Sequence, residues 1–547
     1  MQRLTIGARC VALLVALFLI CCGTPDTVPP RTSAEPGGSS FGEPAVLVLT
    51  ASEPAMVYVS FSGTDPEIAD ENTISGESPL RIELPEGVTE VRFFSIDLSG
   101  NRELGIRVEV YLVDTTPPDV ALTGDAPEPL GLLEIAAIAW QVNETCDYRV
   151  ERGGDGQPES GELLEEGTLD ADVAASIEVA AIDLPDEGTL SIWIHARDWT
   201  GRVGSLEIPL ERATPIEVSW PHSPGDVVVL PDGDRAYVAH RFGQEVDVID
   251  LDPESPTPLG ILNVIDVGVR PWKLALTPDG SRVYVSNVVA PGAIAVIETD
   301  SDTATATLSG VGIPGPVAFA PDGDRGYFTD YEGRIVTLDT DPLSASYHGV
   351  IDSAFIHESL LSGVLAVSPD RSRVVLNWSG SSLHGCELIE ADPVDGSLTG
   401  VIASPTRDIR GGAGDVVLAS DGEFGYVTSS DPDRALFRLD LATGTIDSAI
   451  TMDEITGETA DTIDVILGGQ HVADLQAGLA LTSDDQYLFS VGPNGDTLKL
   501  YGADTLEELA RTTIGGGAVD IAITPDGTRA LITRSGLEPA LVVVKLR

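Results

Sequence analysis

The sequence predicts an all-β protein, in which a seven-bladed β-propeller follows two small β-sandwich domains. Three observations support this prediction. A turn phrase, Pro-Asp-Gly with an arginine two residues later, recurs through the C-terminal three-fifths of the chain. Apolar runs of strand length flank each copy, and the region upstream holds two segments that look like copies of each other. The turns lie roughly 42 to 63 residues apart, the length of one propeller blade.

Each copy of the phrase encodes a β-hairpin turn. Proline presets φ for the first turn position, and glycine supplies the positive φ that the next positions require. Where Arg371 or Asp485 replaces the glycine, we expect a side chain in the left-handed region, at a cost on the order of 1 kcal/mol. The third turn residue of the seven copies is, in chain order, Gly233, Gly280, Gly323, Arg371, Gly422, Asp485 and Gly527.

Every turn lies inside a unit of four predicted strands, and seven such units make a seven-bladed propeller. The first unit shows the order, with strands at Val227–Leu230, Arg235–Val238, Val246–Asp250 and Gly260–Ile265. The chain ends in a third strand, Ala540–Leu546, without a fourth, whereas Ile216–Trp220 is a fourth strand without a unit of its own. Pairing these two would complete the last blade and remove an exposed sheet edge, which favours seven blades over six or eight.

The repeat units resemble the YVTN-type β-propeller repeats of bacterial surface proteins and lactonase-like propellers. The resemblance rests on the Pro-Asp-Gly-x-Arg phrase, the Tyr-Val that follows it, and a later Val-Ile-Asp such as Val248-Ile249-Asp250, and it covers roughly residues 214–547. It implies a fold but no activity, because the motif consists of turn and core residues.

The N-terminus predicts export and lipid attachment. The apolar run Cys10–Ile20 is too short for an ordinary transmembrane span. It leads into Cys21 and Cys22, in a sequence that resembles a bacterial lipobox with Cys22 as the lipidated first residue of the mature chain. Modification of Cys21 and a plain secretory signal are the alternatives. The resemblance implies a membrane anchor in the bacterial cell envelope, and Gly23 after the cysteine implies sorting to the outer membrane.

The two segments upstream of the propeller predict a pair of related β-sandwich modules. The first resembles the immunoglobulin-like module at the C-terminus of chitobiases, through Tyr58–Pro66 and Asp97–Asn101, which implies a spacer rather than a catalytic unit. The predicted divisions are a signal peptide at 1–21, an unfolded Pro/Thr/Ser/Gly-rich tether at 22–43, the modules at 44–113 and 114–213, and the propeller at 214–547.

Composition excludes several classes of function. With 87 acidic residues against 31 basic ones, the formal charge is −56, so the surface repels nucleic acid. The seven histidines show no metal-ligand spacing, and the chain contains no EF-hand loop, nucleophile elbow or phosphate loop. Cys146 and Cys386 fall in different predicted domains, so we expect buried or free thiols rather than a disulfide.

One repeat position carries a candidate ligand site. Aligning the turns places seven residues at the opening of the innermost strands: Asp226, Lys273, Pro316, Val364, Asp415, Gly478 and Asp520. Because inner strands run beside the central channel, Asp520, Asp226 and Lys273 should be neighbours at one mouth, with Asp415 across from them. Arg270 and Trp272, just upstream of Lys273, belong to the candidate site, in which Trp272 would form the floor of a pocket. The cluster suggests a divalent cation such as calcium or a polar small molecule as ligand, and no cofactor is predicted.

The leading functional hypothesis is a non-enzymatic, lipid-anchored envelope protein, whose modules hold the propeller away from the membrane as a binding or scaffolding head. Its partner would be an envelope protein or polysaccharide. A lactonase-like hydrolase acting at the channel mouth is the first alternative, although no catalytic residue can be assigned from the motif. A redox propeller is the second, and its haem version lacks the Cys-x-x-Cys-His motif. The long insert Gly444–Leu475 is a further candidate binding region.

Overall fold

The computed structural model describes residues 26–68, 70–185, 188–220, 222–357, 360–380, 384–409, 413–429, 436–450, 478–492, 496–536 and 538–547. Across these ranges the regular structure is β-strand and one 3₁₀ turn, Ala181–Asp183, with no α-helix. A search of the same ranges for a helix that could cross a membrane found none. The predicted signal peptide, Cys21, Cys22, His471 and most of the insert 444–475 lie outside the described residues.

The first module consists of two sheets around one core. Its strands are β1 (Thr32–Glu35), β2 (Ser40–Phe41), β3 (Val46–Ala51), β4 (Ala55–Ser60), β5 (Thr73–Glu77), β6 (Leu80–Glu83), β7 (Gly87–Asp97) and β8 (Arg107–Val113). The sheets have the orders β1-β3-β6 and β2-β8-β7-β4-β5. Alternate residues of both sheets, such as Leu47, Val57 and Phe93, are fully buried in one cluster, as expected of strands with one face toward a core.

Part of the predicted tether is ordered. Within the segment 22–43, which we expected to be unfolded, β1 pairs antiparallel with β3 and β2 pairs parallel with β8. This segment is ordered because it buries the polar side chain of Thr32, whose hydrogen-bond partners lie in the module. Thr32 is almost fully buried, and its hydroxyl donates to Ser95 Oγ at 2.8 Å while its backbone N–H donates to Glu103 Oε1 at 2.8 Å.

The second module repeats the strand order of the first. Its strands are β9 (Val120–Leu122), β10 (Ile135–Val142), β11 (Cys146–Arg152), β12 (Glu162–Leu169), β13 (Ala174–Ala180), β14 (Thr189–Arg197) and β15 (Val203–Glu211). The sheets β13-β10-β9 and β12-β11-β14-β15 correspond to β6-β3-β1 and β5-β4-β7-β8. The internal similarity seen in the sequence is therefore also a similarity of topology.

The chain divides into two compact units whose border runs through the second module. One unit comprises residues 1–124, 139–176 and 192–208, and the other comprises 125–138, 177–191 and 209–547. Within the C-terminal unit, Leu133 N–H donates to the carbonyl of Leu546 at 2.7 Å. The approach is so close that a Cβ on Gly131 would lie 2.6 Å from the Leu546 carbonyl carbon, which only glycine permits.

The described residues of the C-terminal unit form seven four-stranded antiparallel sheets. Strands of the first half are β16 (Ile216–Ser219), β17 (Pro224–Val229), β18 (Arg235–His240), β19 (Glu245–Asp250), β20 (Ile261–Asp266), β21 (Pro271–Leu276), β22 (Arg282–Asn287), β23 (Ala293–Glu298), β24 (Thr303–Ser309), β25 (Ala318–Phe319), β26 (Arg325–Thr329), β27 (Arg334–Asp339) and β28 (Val350–Phe355).

The remaining strands are β29 (Leu360–Val367), β30 (Arg373–Gly380), β31 (His384–Ala391), β32 (Leu398–Ile409), β33 (Ala413–Leu418), β34 (Phe424–Ser429), β35 (Leu436–Asp440), β36 (Thr445–Ile450), β37 (Gly478–Leu481), β38 (Tyr487–Val491), β39 (Thr497–Gly502), β40 (Glu508–Thr513), β41 (Ala518–Ile523), β42 (Arg529–Arg534) and β43 (Ala540–Lys545). Six sheets take four consecutive strands each, beginning at β17, β21, β25, β29, β33 and β37, and the seventh has the order β16-β43-β42-β41.

First strands of successive sheets lie side by side, as β17 does with β21, β33 with β37, and β41 with β17. This is the arrangement of a β-propeller, in which a sheet buries its faces against its neighbours. One core cluster accordingly combines Tyr237 and Val248 of the first sheet with Leu274 and Val283 of the second.

The predicted pairing between the first and the last strand of the propeller region is confirmed. Strand β16 pairs antiparallel with β43, with Ile216 opposite Val543 and Ser219 opposite Ala540. The prediction of strained turns is also confirmed, since Arg371 and Asp485 adopt φ values of 64° and 57°. The two cysteines among the described residues, Cys146 and Cys386, are buried thiols that form no disulfide, as expected.

Deleting residues 540–547 should abolish folding of the C-terminal unit. The deletion removes β43 from the middle of the closing sheet, together with buried Leu541, Val542 and Val543. Each loss costs about 1.5–3 kcal/mol, and the sum approaches the whole stability of a domain. Limited proteolysis and thermal melts would measure this. Ile216→Thr, at a position 56% exposed on β16, is the matched control and should melt like the wild type. A truncated chain with wild-type melting would refute the closure.

Candidate functional site

The four charged residues of the predicted site share one local geometry. Asp226, Lys273, Asp415 and Asp520 are each the third residue of a first strand, in β17, β21, β33 and β41. The pairing register with the following strand shifts just before or just after each of them. Such a β-bulge re-aims a side chain, and here the shift accompanies side chains that reach the adjacent sheet.

Lys273 joins two of the acids in a buried ion pair network. Its Nζ lies 2.5 Å from Asp226 Oδ1 and 3.6 Å from Asp520 Oδ1. The three residues are 8%, 4% and 6% exposed, respectively. The predicted neighbourhood is therefore present, but the sequence analysis placed these residues at an open channel mouth, whereas the structure buries them. The side chains of Asp226 and Asp520 point inward because each carboxylate accepts a hydrogen bond from a backbone N–H of the next sheet.

Each aspartate ties its sheet to the following one through a backbone N–H. Asp226 Oδ2 accepts from Leu274 N at 2.6 Å, and Asp520 Oδ2 accepts from Val227 N at 3.2 Å. Asp415 repeats the arrangement, with Oδ2 accepting from Leu479 N at 3.1 Å and Oδ1 accepting from Val416 N at 2.9 Å. Both oxygens of Asp226 and of Asp415 therefore accept hydrogen bonds, as does Asp520 Oδ2, while Asp520 Oδ1 has the longer ion pair with Lys273.

Hydroxyl groups form a second set of ties that the sequence analysis missed. Thr533 Oγ1 donates to the carbonyl of Gly225 at 2.6 Å, and Ser286 Oγ donates to the carbonyl of Gly315 at 2.7 Å. The donors lie at one repeat position on the second strand, and the acceptors directly precede the aspartate position. A polar residue recurring in an otherwise apolar strand was the available signal.

The cluster brings several acids close together in a buried place, and this shifts the pKa values of its members. Burial and the charge of Asp520 raise the pKa of Asp226 well above its usual range. Burial lowers the pKa of Lys273, but the charges of Asp226, Asp520 and Asp415 outweigh this and raise it. Burial and Asp520 raise the pKa of Asp415 to about 6, against the opposing charge of Lys273. The ammonium is therefore held in its charged form by the acids around it.

The other two predicted residues, Arg270 and Trp272, differ in exposure. Trp272 is buried, whereas Arg270 is exposed on the loop before β21, with a φ of 56°. The guanidinium carbon of Arg270 lies 5.7 Å from the ring centre of Phe242, and that of Arg241 lies 5.5 Å from it. Phe242, between β18 and β19, is 64% exposed. We call Arg241, Phe242 and Arg270 the Phe242 patch. The sequence analysis found only Arg270 of this patch.

Histidines thought to be scattered also meet at this end of the first sheet. His240 Nε2 lies 2.7 Å from Asp247 Oδ2, and both residues are buried. The rings of Trp220 and His222 lie 6.5 Å and 5.2 Å from that of His240. These contacts pack the base of the loop that presents Phe242. At the opposite end of the same strands, a cavity of about 620 Å³ is lined by turn residues including Asp232, Asp526 and Arg547.

The charged cluster can hold neighbouring sheets together. Its ion pairs and hydrogen bonds connect the first strands of the seventh, first and second sheets, which are the sheets that meet where the chain ends join. Ligand binding by Asp226, Lys273, Asp415 and Asp520 stays a prediction. Such binding would have to displace contacts that already satisfy each oxygen.

Replacing Lys273 with methionine should destabilise the C-terminal unit by about 3–5 kcal/mol, because two buried acids lose their counter-charge. Denaturant unfolding would measure the shift. The charge-balanced control is Lys273→Met with Asp226→Asn and Asp520→Asn, in which the amide oxygens still accept from Leu274 N and Val227 N. That triple variant should recover most of the loss. Wild-type stability of the single variant would show that the ion pairs contribute nothing.

Asp415→Asn should change how stability depends on pH. In the wild type the folded-state pKa of Asp415 is about 6, against about 3.9 in unfolded chains. The folded state therefore binds this proton more readily, and the free energy of unfolding falls as pH rises from about 4 to 6. The asparagine variant lacks this loss, so its stability relative to wild type should rise across that window by at most about 3 kcal/mol. Unfolding curves at pH 4.5 and 7.5 measure it, and a constant difference would contradict the assignment.

Comparison with known proteins shows no family. No family model matches the sequence, and no curated protein does. Among solved structures, the hydrazine synthase of Kuenenia stuttgartiensis is similar at 17% sequence identity and a TM-score of 0.46, covering 60% of this chain and 97% of that one. The WD40 repeats of RRP9 are similar at 13% identity and a TM-score of 0.47, covering 61% and 98%. At these TM-scores neither similarity says anything about activity.

Proposed function

We propose that this chain is a lipid-anchored binding protein of the bacterial cell envelope. A seven-bladed propeller is its binding head, and two immunoglobulin-like modules are its spacer. Seven four-stranded sheets and the pairing of β16 with β43 support the blade count. The two-sheet cores and matching strand orders of the modules support their assignment as a repeated spacer.

The single observation behind the binding role is the Phe242 patch. An aromatic ring that is 64% exposed, with two guanidinium groups about it, has the composition of a binding hot spot. Arginine is unusual on this surface, since the chain has 31 basic residues against 87 acidic ones. Guanidinium groups pair with carboxylates, and the ring offers an apolar face. The partner is therefore an envelope polysaccharide or protein that presents carboxylates beside an apolar surface.

A non-enzymatic role fits the contacts of the acids that the sequence analysis considered for catalysis. Asp226, Asp415 and Asp520 use their oxygens to hold neighbouring sheets together. Residues committed in this way serve the stability of the head, while the exposed patch is available to a partner. The anchor completes the proposal, because acylation of Cys22 would keep the head at the membrane on which its partner is found.

The experiment measures lipid attachment of the full-length chain expressed in bacteria, and then measures binding by the purified protein. Wild type should carry acyl groups on Cys22 by intact-mass analysis and fractionate with membranes, and Cys22→Ala should do neither. Purified Cys22→Ala protein should bind isolated envelope polysaccharide or envelope protein in biolayer interferometry. Adding Phe242→Ala should weaken that binding about tenfold or more, as loss of an aromatic hot spot does.

Leu343→Ala is the matched control, because Leu343 is 93% exposed on the loop between β27 and β28, away from the patch. It should leave binding unchanged, and both alanine variants should keep the wild-type melting temperature. Binding to the polysaccharide or to the protein fraction identifies the partner class. A mature wild-type chain without acyl groups would disprove the anchor, and equal binding by the Phe242→Ala and Leu343→Ala proteins would disprove the patch.

A further inference from the structure

Three carboxylates meet where the chain enters each N-terminal module. The first trio is Asp26, Glu53 and Asp97, and the second trio is Asp114, Glu144 and Asp198. In each trio, one oxygen from every residue lies within 4.8 Å of the other two. Oxygens on opposite sides of a calcium ion are separated by about 4.6–5.2 Å. The spacing of both trios is therefore that of ligands around one ion.

The second trio repeats the first position by position. Asp26 and Asp114 each begin an Asp-Thr-x-Pro-Pro segment upstream of a module. Glu53 and Glu144 each stand two residues after equivalent strands, β3 and β10. The third acids also correspond, because Asp97 is the last residue of β7 and Asp198 directly follows β14, the equivalent strand of the second module. Unrelated surface acids would not converge twice at equivalent positions.

The second trio also contains a buried oxygen without a partner. Asp198 is 5% exposed, and its Oδ1 accepts from Thr200 N at 2.7 Å, Thr200 Oγ1 at 2.7 Å and Arg202 N at 3.0 Å. Its Oδ2 is buried and accepts no hydrogen bond from any described residue. Leaving a charged oxygen in this state is costly, and a cation bound between the acids would satisfy it. In the first trio, Asp97 Oδ2 accepts from Asn101 Nδ2 at 2.7 Å.

We propose that each trio is a binding site for one hard divalent cation of the calcium type. The donors are all carboxylate oxygens, which suit calcium rather than zinc or copper, and water would complete the coordination. The inference does not depend on the proposed role of the propeller. Arg202, whose guanidinium donates to the carbonyl of Gly42, occupies the place of Asn101, and its charge should make the second site the weaker one.

Cation binding would join each module to the chain that precedes it. Asp114 directly follows β8, the last strand of the first module, while Glu144 and Asp198 belong to the second. An ion held by all three connects the modules through the linker. At the first site, Asp26 lies upstream of β1, so the ion connects the N-terminal segment with its module.

The test is calcium binding to the mature full-length chain after removal of metal with EDTA. Isothermal titration with calcium chloride should give two ions per wild-type chain. Glu53→Gln and Glu144→Gln should each remove one ion, and the double variant should bind none at these sites. Glu77→Gln, an exposed acid on β5 outside both trios, is the matched control and should keep two.

Thermal melts separate loss of binding from loss of folding. In EDTA the glutamine variants should melt at or above the wild-type temperature, because each removes repulsion among three like charges. Calcium should raise the melting temperature of the wild type and the Glu77→Gln control, and leave the double variant unchanged. Absence of saturable binding to the wild type, or two ions still bound by the double variant, would overturn the proposal. Two ions still bound by Glu53→Gln would overturn the first site, and two still bound by Glu144→Gln would overturn the second.

Discussion

The C-terminal unit depends on ties between the first strands of adjacent sheets. A propeller sheet hydrogen-bonds only within itself, so neighbouring sheets are held by packing and by whatever side chains cross between them. Asp226 and Asp520 cross with both oxygens, one to a backbone N–H of the next sheet and one to Lys273. These bonds lie beside the seventh sheet, which combines β16 from the start of the propeller region with β41, β42 and β43 from its end.

Burying charges for this purpose has a physical consequence. Desolvation disfavours each ion, and the network persists because the acids and the ammonium offset one another over short distances. Removing Lys273 leaves two buried acids without their counter-charge, so the network depends on this one ammonium. The hydroxyl ties of Ser286 and Thr533 do the same task without charge. Among the loops, the one bearing Phe242 combines an exposed aromatic ring with two nearby arginines.

The candidate sites show which information a repeat supplies. Alignment of the turns was enough to bring Asp226, Lys273 and Asp520 together, because equivalent positions in adjacent repeats occupy equivalent places. The alignment did not show that these side chains are buried, because their burial depends on a register shift that cannot be recognised from the residue types. Phe242 was missed for a related reason, because a single phenylalanine in a hairpin loop predicts core as readily as surface. The acids of the two trios lie in matching segments of the sequence, but only the folded structure shows that Asp114 lies near Glu144 and Asp198.

The sequence by itself determined the periodic features of this protein. The turn phrase specified hairpins through the φ angles of proline and glycine, the apolar alternation specified strands, and the unpaired strands at 216–219 and 540–545 specified closure. These features depend only on neighbouring residues or on the number of strands, so they can be read without a structure. Tertiary structure decided everything that depends on which side chains meet across sheets. It placed Lys273 between two acids, arginines beside Phe242, and part of the expected tether in the first module, because such contacts join residues far apart in the chain.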